Sequence, residues 1–122
     1  MAQTLSLHEA NQAVPGWRAL ASGLHITVAT DDFAAALALV DRIGAIAEEQ
    51  QHHPNIDLRW GRVHVVTSSH DAGGITDRDL RLATACMVVA GLVLASTGKK
   101  YWRAAAIQLV PAALALVLVL LV

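Results

Sequence analysis

The chain has 122 residues, 55% of them hydrophobic and 16% charged, with a mean hydropathy of +0.47. That is too apolar for a disordered chain, and the length holds one folding unit of ordinary size, which excludes a two-domain enzyme. The formal charge of −1 is uneven, with six basic and ten acidic side chains in residues 1–82 against three basic and none acidic in 83–122; with no basic stripe to meet a phosphate backbone, direct nucleic-acid binding is not expected.

Residues Met1 to Leu7 lack the positive region and apolar run of a secretory signal, so a cytoplasmic catalytic domain is expected. Leu5 to Val14 reads as a short helix ended by Pro15-Gly16. Two strands follow, Trp17–Ala21 and Leu24–Ala29, parted by Ser22-Gly23; alternation of Leu24, Ile26 and Val28 with His25 and Thr27 turns His25 toward solvent. Thr30-Asp31-Asp32 supplies cap chemistry for a helix over 33–51. That helix is apolar on two lines, Phe33, Leu37, Val40, Gly44 and Ala47, and Leu39, Ile43 and Ile46; one can cover a sheet and the other suits self-association. Pro54 stops it by His53. Ile56–Trp60 and Arg62–Ser69, joined at Gly61, form an antiparallel pair, and Asp71 to Gly74 is a loop. Thr76-Asp-Arg-Asp79 opens a third helix as a capping box. Cys86, the sole cysteine, lies between Ala85 and Met87 and suits a buried thiol better than a nucleophile.

Three histidines stand out. His52 and His53 end a helix beside a proline, and His70 ends a strand; rims of rigid elements are where acid/base sites are assembled. Glu48 precedes His52 by one helical turn, within reach to orient its ring. Imidazole carries protons near neutral pH. The plainer reading is a polar helix terminus whose cations suit the dipole, and for Asp79 the capping box alone is enough. Zinc on the three imidazoles is disfavoured, because the rings of adjacent His52 and His53 diverge on a helix.

The spacing Glu48-x3-His52-His53-Pro54, then Trp60, His70 and Asp79, resembles the signature of pterin-4a-carbinolamine dehydratases. The likeness extends to Gly16-Trp17, Phe33, Ala47-Glu48 and Gly73-Gly74-Ile75-Thr76, and covers roughly residues 5–90. It implies an α+β fold of two layers, a four-stranded antiparallel sheet with helices packed on one face in the order α-β-β-α-β-β-α, assembling as a homodimer or homotetramer. The implied activity is dehydration of 4a-hydroxytetrahydrobiopterin, or a related 4a-hydroxytetrahydropterin, to quinonoid dihydropterin and water in tetrahydropterin recycling. The pterin is then the substrate, with no cofactor and no metal. By carry-over His52 and His70 are the acid/base pair and His53 positions the pterin. Glu48 orients the His52–His53 corner, Asp79 fixes the loop and cap beside His70, and Ser68 and Ser69 offer contacts to the ring. Ile56 departs from the aromatic residue some relatives carry, and Ser69 from a threonine. The resemblance also admits a non-catalytic dimerisation or assembly-factor module of the same fold.

The dehydratase-like domain is expected over 1–98, followed by a basic and aromatic flank and an apolar segment over 99–122. Ala83–Ala95 is too short to cross a bilayer and is expected to extend the third helix. Residues 104–122 are almost wholly aliphatic and as a helix reach ~28 Å, so Lys99, Lys100, Tyr101, Trp102 and Arg103 read as the cytoplasmic flank of a membrane anchor; a helix buried in an oligomer is the alternative.

Overall fold

The computed structural model describes residues 3–97. Along it run α1 (Leu7–Ala13), β1 (Arg18–Leu20), β2 (Gly23–Ala29), α2 (Phe33–Gln50), β3 (Asn55–Arg59), β4 (Arg62–Thr67) and α3 (Asp77–Thr97). This is the α+β order expected above, with ends shifted by a few residues where caps and turns decide the boundary. The strands form one antiparallel sheet in the order β1-β2-β4-β3, with helices packed on one face.

Local chemistry explains the breaks. The Ser6 hydroxyl accepts from the Glu9 amide to cap α1, and the Asp32 carboxylate accepts from the Ala35 amide at 2.8 Å to cap α2. The β1–β2 turn needs Gly23: its φ is +136°, and an added Cβ would stand 2.5 Å from the Thr67 carbonyl oxygen. The end of α2 is less usual, because Gln51, not a glycine, takes the left-handed conformation (φ 51°). The His52 amide then donates back to the Ala47 carbonyl at 3.0 Å, closing the last turn. The helix therefore ends at Gln50, and His52 leaves the helical path before Pro54 can act.

The core lies between sheet and helices. Leu24, Val28, Val63 and Val65 point inward from β2 and β4, against Ala36, Leu39, Ile43 and Ala47 of α2 and Leu82, Ala83, Cys86, Met87, Ala90 and Val93 of α3. Of the two apolar lines on α2, Leu39 and Ile43 enter the core with Ile46 at its margin, while Phe33 and Leu37 are exposed. Ala83–Val93 continues α3 without a break, as expected. Burial pushes the Cys86 thiol up to about 12, so it stays protonated.

The opposite face of the sheet carries Arg18, His25, Thr27, Asp57 and His64, all exposed or half-buried. Instead of pointing freely to solvent, His25 is half-buried; that burial, and then His64 and Arg18, hold its pKa below the usual imidazole value. The membrane anchor expected over 104–122 lies outside the described residues. Among the described residues no helix is long and apolar enough to cross a membrane.

Candidate active site

The site begins with a buried carboxylate. Asp79, in the first turn of α3, is fully buried and accepts four hydrogen bonds. Oδ1 takes His52 Nε2–H and the Thr67 hydroxyl, each at 2.6 Å. Oδ2 takes the Ser69 hydroxyl at 2.8 Å and the Thr76 amide at 2.9 Å. Four donors fill the lone-pair sites of a carboxylate, so the group is satisfied without water. Because the Ser69 hydroxyl spends its one proton on Asp79, the 2.8 Å contact between Ser69 and Thr76 is a donation from Thr76.

This cluster fixes His52. The residue is 8% exposed, and with Nε2 donating to Asp79 the ring is held in one orientation, leaving Nδ1 as the nitrogen available for chemistry. A carboxylate behind an imidazole sets its tautomer and stabilises its cation, which is the support a general acid or base requires. His53 points elsewhere: it is exposed, and its Nε2 meets Glu48 Oε1 at 2.7 Å.

Those pairings differ from the expected ones. Glu48 stands four residues before His52, yet it meets His53, because the left-handed Gln51 turns His52 off the helical register and into the interior. Asp79 fills its capping position, accepting from the Thr76 amide as the box requires, and in addition carries the His52 ring. It therefore reaches both His52 and, through the Ser69 hydroxyl and the Thr76 amide, the base of the loop that carries His70.

His70 sits one residue past the Ser69–Gly74 bridge that closes the loop after β4. The Ser69 carbonyl accepts from the amides of Ala72 at 3.1 Å and Gly73 at 3.0 Å, and Gly73 takes φ +76°, so the loop is a tight, internally bonded turn. Asp71 Oδ1 meets Arg78 Nη2 at 2.6 Å, tying the loop to α3; this hydrogen bond holds the Asp71 carboxyl below its ordinary value. Ser68, Ser69, His70 and Asp71 on one side and Gln51, His52 and His53 on the other line a cleft of about 380 Å³. The three histidines chosen from sequence thus share one cavity. Trp60, part of the same pattern, lies in the β3–β4 turn, 70% exposed, and is not among the residues lining the cleft.

Thr67 is not among the residues expected at the site, and Thr76 is expected only as the start of the capping box. Thr67 carried a signal, since it continues the inward alternation of Val63 and Val65, where a hydroxyl must find a buried partner.

A carboxylate-backed imidazole beside a cleft with two more imidazoles is an arrangement able to carry acid/base chemistry, and here it sits on an α+β scaffold. A family model described as pterin 4 alpha carbinolamine dehydratase matches residues 3–89, and the chain belongs to that family. A relative from Thermomicrobium roseum, provisionally named a pterin-4-alpha-carbinolamine dehydratase, is 44% identical over 72 residues, spanning 59% of this chain and 77% of its own. One from Nocardia farcinica with the same provisional name is 46% identical over 72 residues, spanning 59% and 76%. A crystal structure from Brucella melitensis, titled a transcriptional coactivator/pterin dehydratase, matches with a TM-score of 0.67 and 25% identity over 72% of this chain and 99% of that one. A second family model, for a protein of unknown function, matches residues 63–120.

Proposed function

We propose that the chain is a hydro-lyase that removes the 4a-hydroxyl of a 4a-hydroxytetrahydropterin, 4a-hydroxytetrahydrobiopterin or a close relative, as water. The C4a–O bond breaks as a proton reaches the leaving oxygen; loss of the N5 proton, whose bonding electrons form the C4a=N5 double bond, leaves the quinonoid dihydropterin. His52 and His70 divide the two proton transfers, and His53 positions the ring, steadied by Glu48. Ser68 borders the pterin, while Ser69 acts through Asp79. The observation that carries this reading is the convergence of His52, His53 and His70 on one cleft with Asp79 behind His52.

Acid and base must flank the pterin at opposite positions, and the cleft has His52 and His53 from the α2–β3 junction on one side and His70 from the β4–α3 loop on the other. Purified full chain assayed with a 4a-hydroxytetrahydropterin should accelerate dehydration. The His52→Ala, His70→Ala double variant should lose that acceleration, and unchanged turnover in it refutes the mechanism. The chain works as a homodimer or homotetramer, a reading supported by the exposed Phe33 and Leu37 on α2.

A further inference from the structure

The open face of the sheet holds a second pair of histidines that the dehydration chemistry does not use. His25 on β2 and His64 on β4 lie diagonally across neighbouring strands, on the face away from the helices. Their rings stand 5.4 Å apart between centroids, tilted by 48°, and His25 Nδ1 is 3.3 Å from His64 Nε2. Each ring is held from behind by a hydroxyl: Ser22 Oγ lies 2.7 Å from His25 Nε2, and Thr27 Oγ1 lies 2.7 Å from His64 Nδ1. The pair lines a concavity of about 340 Å³ together with Gly16, Arg18, Leu20 and Ile26.

We propose that His25 Nδ1 and His64 Nε2 form a two-imidazole site for a divalent transition metal ion such as Zn²⁺, with Ser22 and Thr27 as its positioning residues. The spacing is the first argument. Two imidazole nitrogens bound at ~2.0–2.1 Å to a tetrahedral ion stand about 3.3–3.4 Å apart, the separation that the hydrogen-bonded pair already has here. The flanking hydroxyls are the second. Histidines that bind metal donate their far N–H to a fixed acceptor, which leaves the near nitrogen as a bare lone pair, and here each ring has a hydroxyl at its far nitrogen able to accept once a metal replaces the proton between the rings. Among the described residues no set of three histidine, cysteine or carboxylate side chains completes the shell, so water fills the remaining positions and the site stays open to exogenous ligands. Arg18 in the same concavity opposes a cation, and an anion held by Arg18 with protonated rings is the competing outcome.

The test is a titration of the full chain with ZnCl₂ in chelator-free buffer, followed by imidazole ¹⁵N–¹H correlation spectra, with a parallel titration using inorganic phosphate. The ring nitrogens of His25 and His64 should shift together and saturate at one equivalent of Zn²⁺, with phosphate leaving them unmoved. His25→Gln and His64→Gln should each abolish that binding. Ser22→Ala and Thr27→Val, which keep both ligands, should each weaken it by about tenfold. These positions are on the surface, and the Ser22 and Thr27 variants still decide the matter if a histidine variant fails to fold. The proposal is overturned if Zn²⁺ shifts only His52, His53 or His70, if binding survives loss of both His25 and His64, if the hydroxyl variants bind unchanged, or if phosphate shifts the pair and Zn²⁺ does not.

Discussion

Replacing Asp79 by asparagine keeps the shape of the side chain and turns one of its two acceptor atoms into a donor. The four donors around it are unequal. The Thr76 amide cannot turn, so the asparagine oxygen must remain opposite it, and the Ser69 hydroxyl shares that oxygen. The NH₂ group then faces His52 Nε2 and the Thr67 hydroxyl. Thr67 accepts by rotating its proton away, and His52 accepts only by moving its proton from Nε2 to Nδ1. The buried Thr67 proton loses its acceptor and the remaining charge-assisted bonds become neutral ones, so the fold survives with a loss of ~1–3 kcal/mol. The proposed chemistry does not survive equally well, because Nδ1 now carries the proton. A drop of about 10²–10⁴-fold in kcat/KM is expected, the range that a placed acid or base supplies. Urea unfolding measures the first quantity, the dehydration assay the second, and ¹⁵N shifts of the His52 ring report the tautomer. If the tautomer inverts and turnover stays within a small factor of the parent, the role given to His52 is wrong.

Gly23→Ala forces a Cβ against the Thr67 carbonyl at a positive φ, and should cost at least ~2 kcal/mol in urea unfolding; an unchanged midpoint would mean the turn can relax. Cys86 should resist alkylation at pH 8 in the folded chain and react on denaturation, and rapid labelling of native protein would contradict its burial. The same thiol gives a pH dependence. With the folded value raised above the ordinary 9.0 to about 12, its contribution is complete below pH 9 and is lost as pH rises toward 12. Measured against a Cys86→Ala control, the parent should therefore show the steeper alkaline decline. Phe33→Ser with Leu37→Asp should lower the sedimenting mass of the full chain without lowering its melting temperature, since both side chains are exposed in the single chain; an unchanged mass removes this face from the assembly.

Period and punctuation were enough to locate the elements of the described residues, because β4 alternates cleanly and the helices start at a hydroxyl or carboxylate cap. The cleft was legible too, through His52, His53 and His70. What spacing could not convey was pairing. The four-residue separation of Glu48 and His52 implies contact only while the chain remains helical, and a left-handed glutamine carries no sequence mark of the kind a glycine does. Likewise a capping aspartate looks complete in one dimension; its second partner, 27 residues away, is visible only in the folded chain. The line of apolar residues on α2 that meets the core was also undecided in sequence, since both lines have helical period.

The Asp79 cluster joins the end of α2, the end of β4, the loop after it and the start of α3 through bonds that have no local substitute. None of these segments can fray without breaking it. The amide of Thr76 should therefore exchange with solvent only through global opening, at the rate of the innermost sheet amides, and heat inactivation should coincide with cooperative unfolding instead of preceding it. Many active sites sit on the least stable part of a domain; the candidate site here is fastened to buried groups of three different elements.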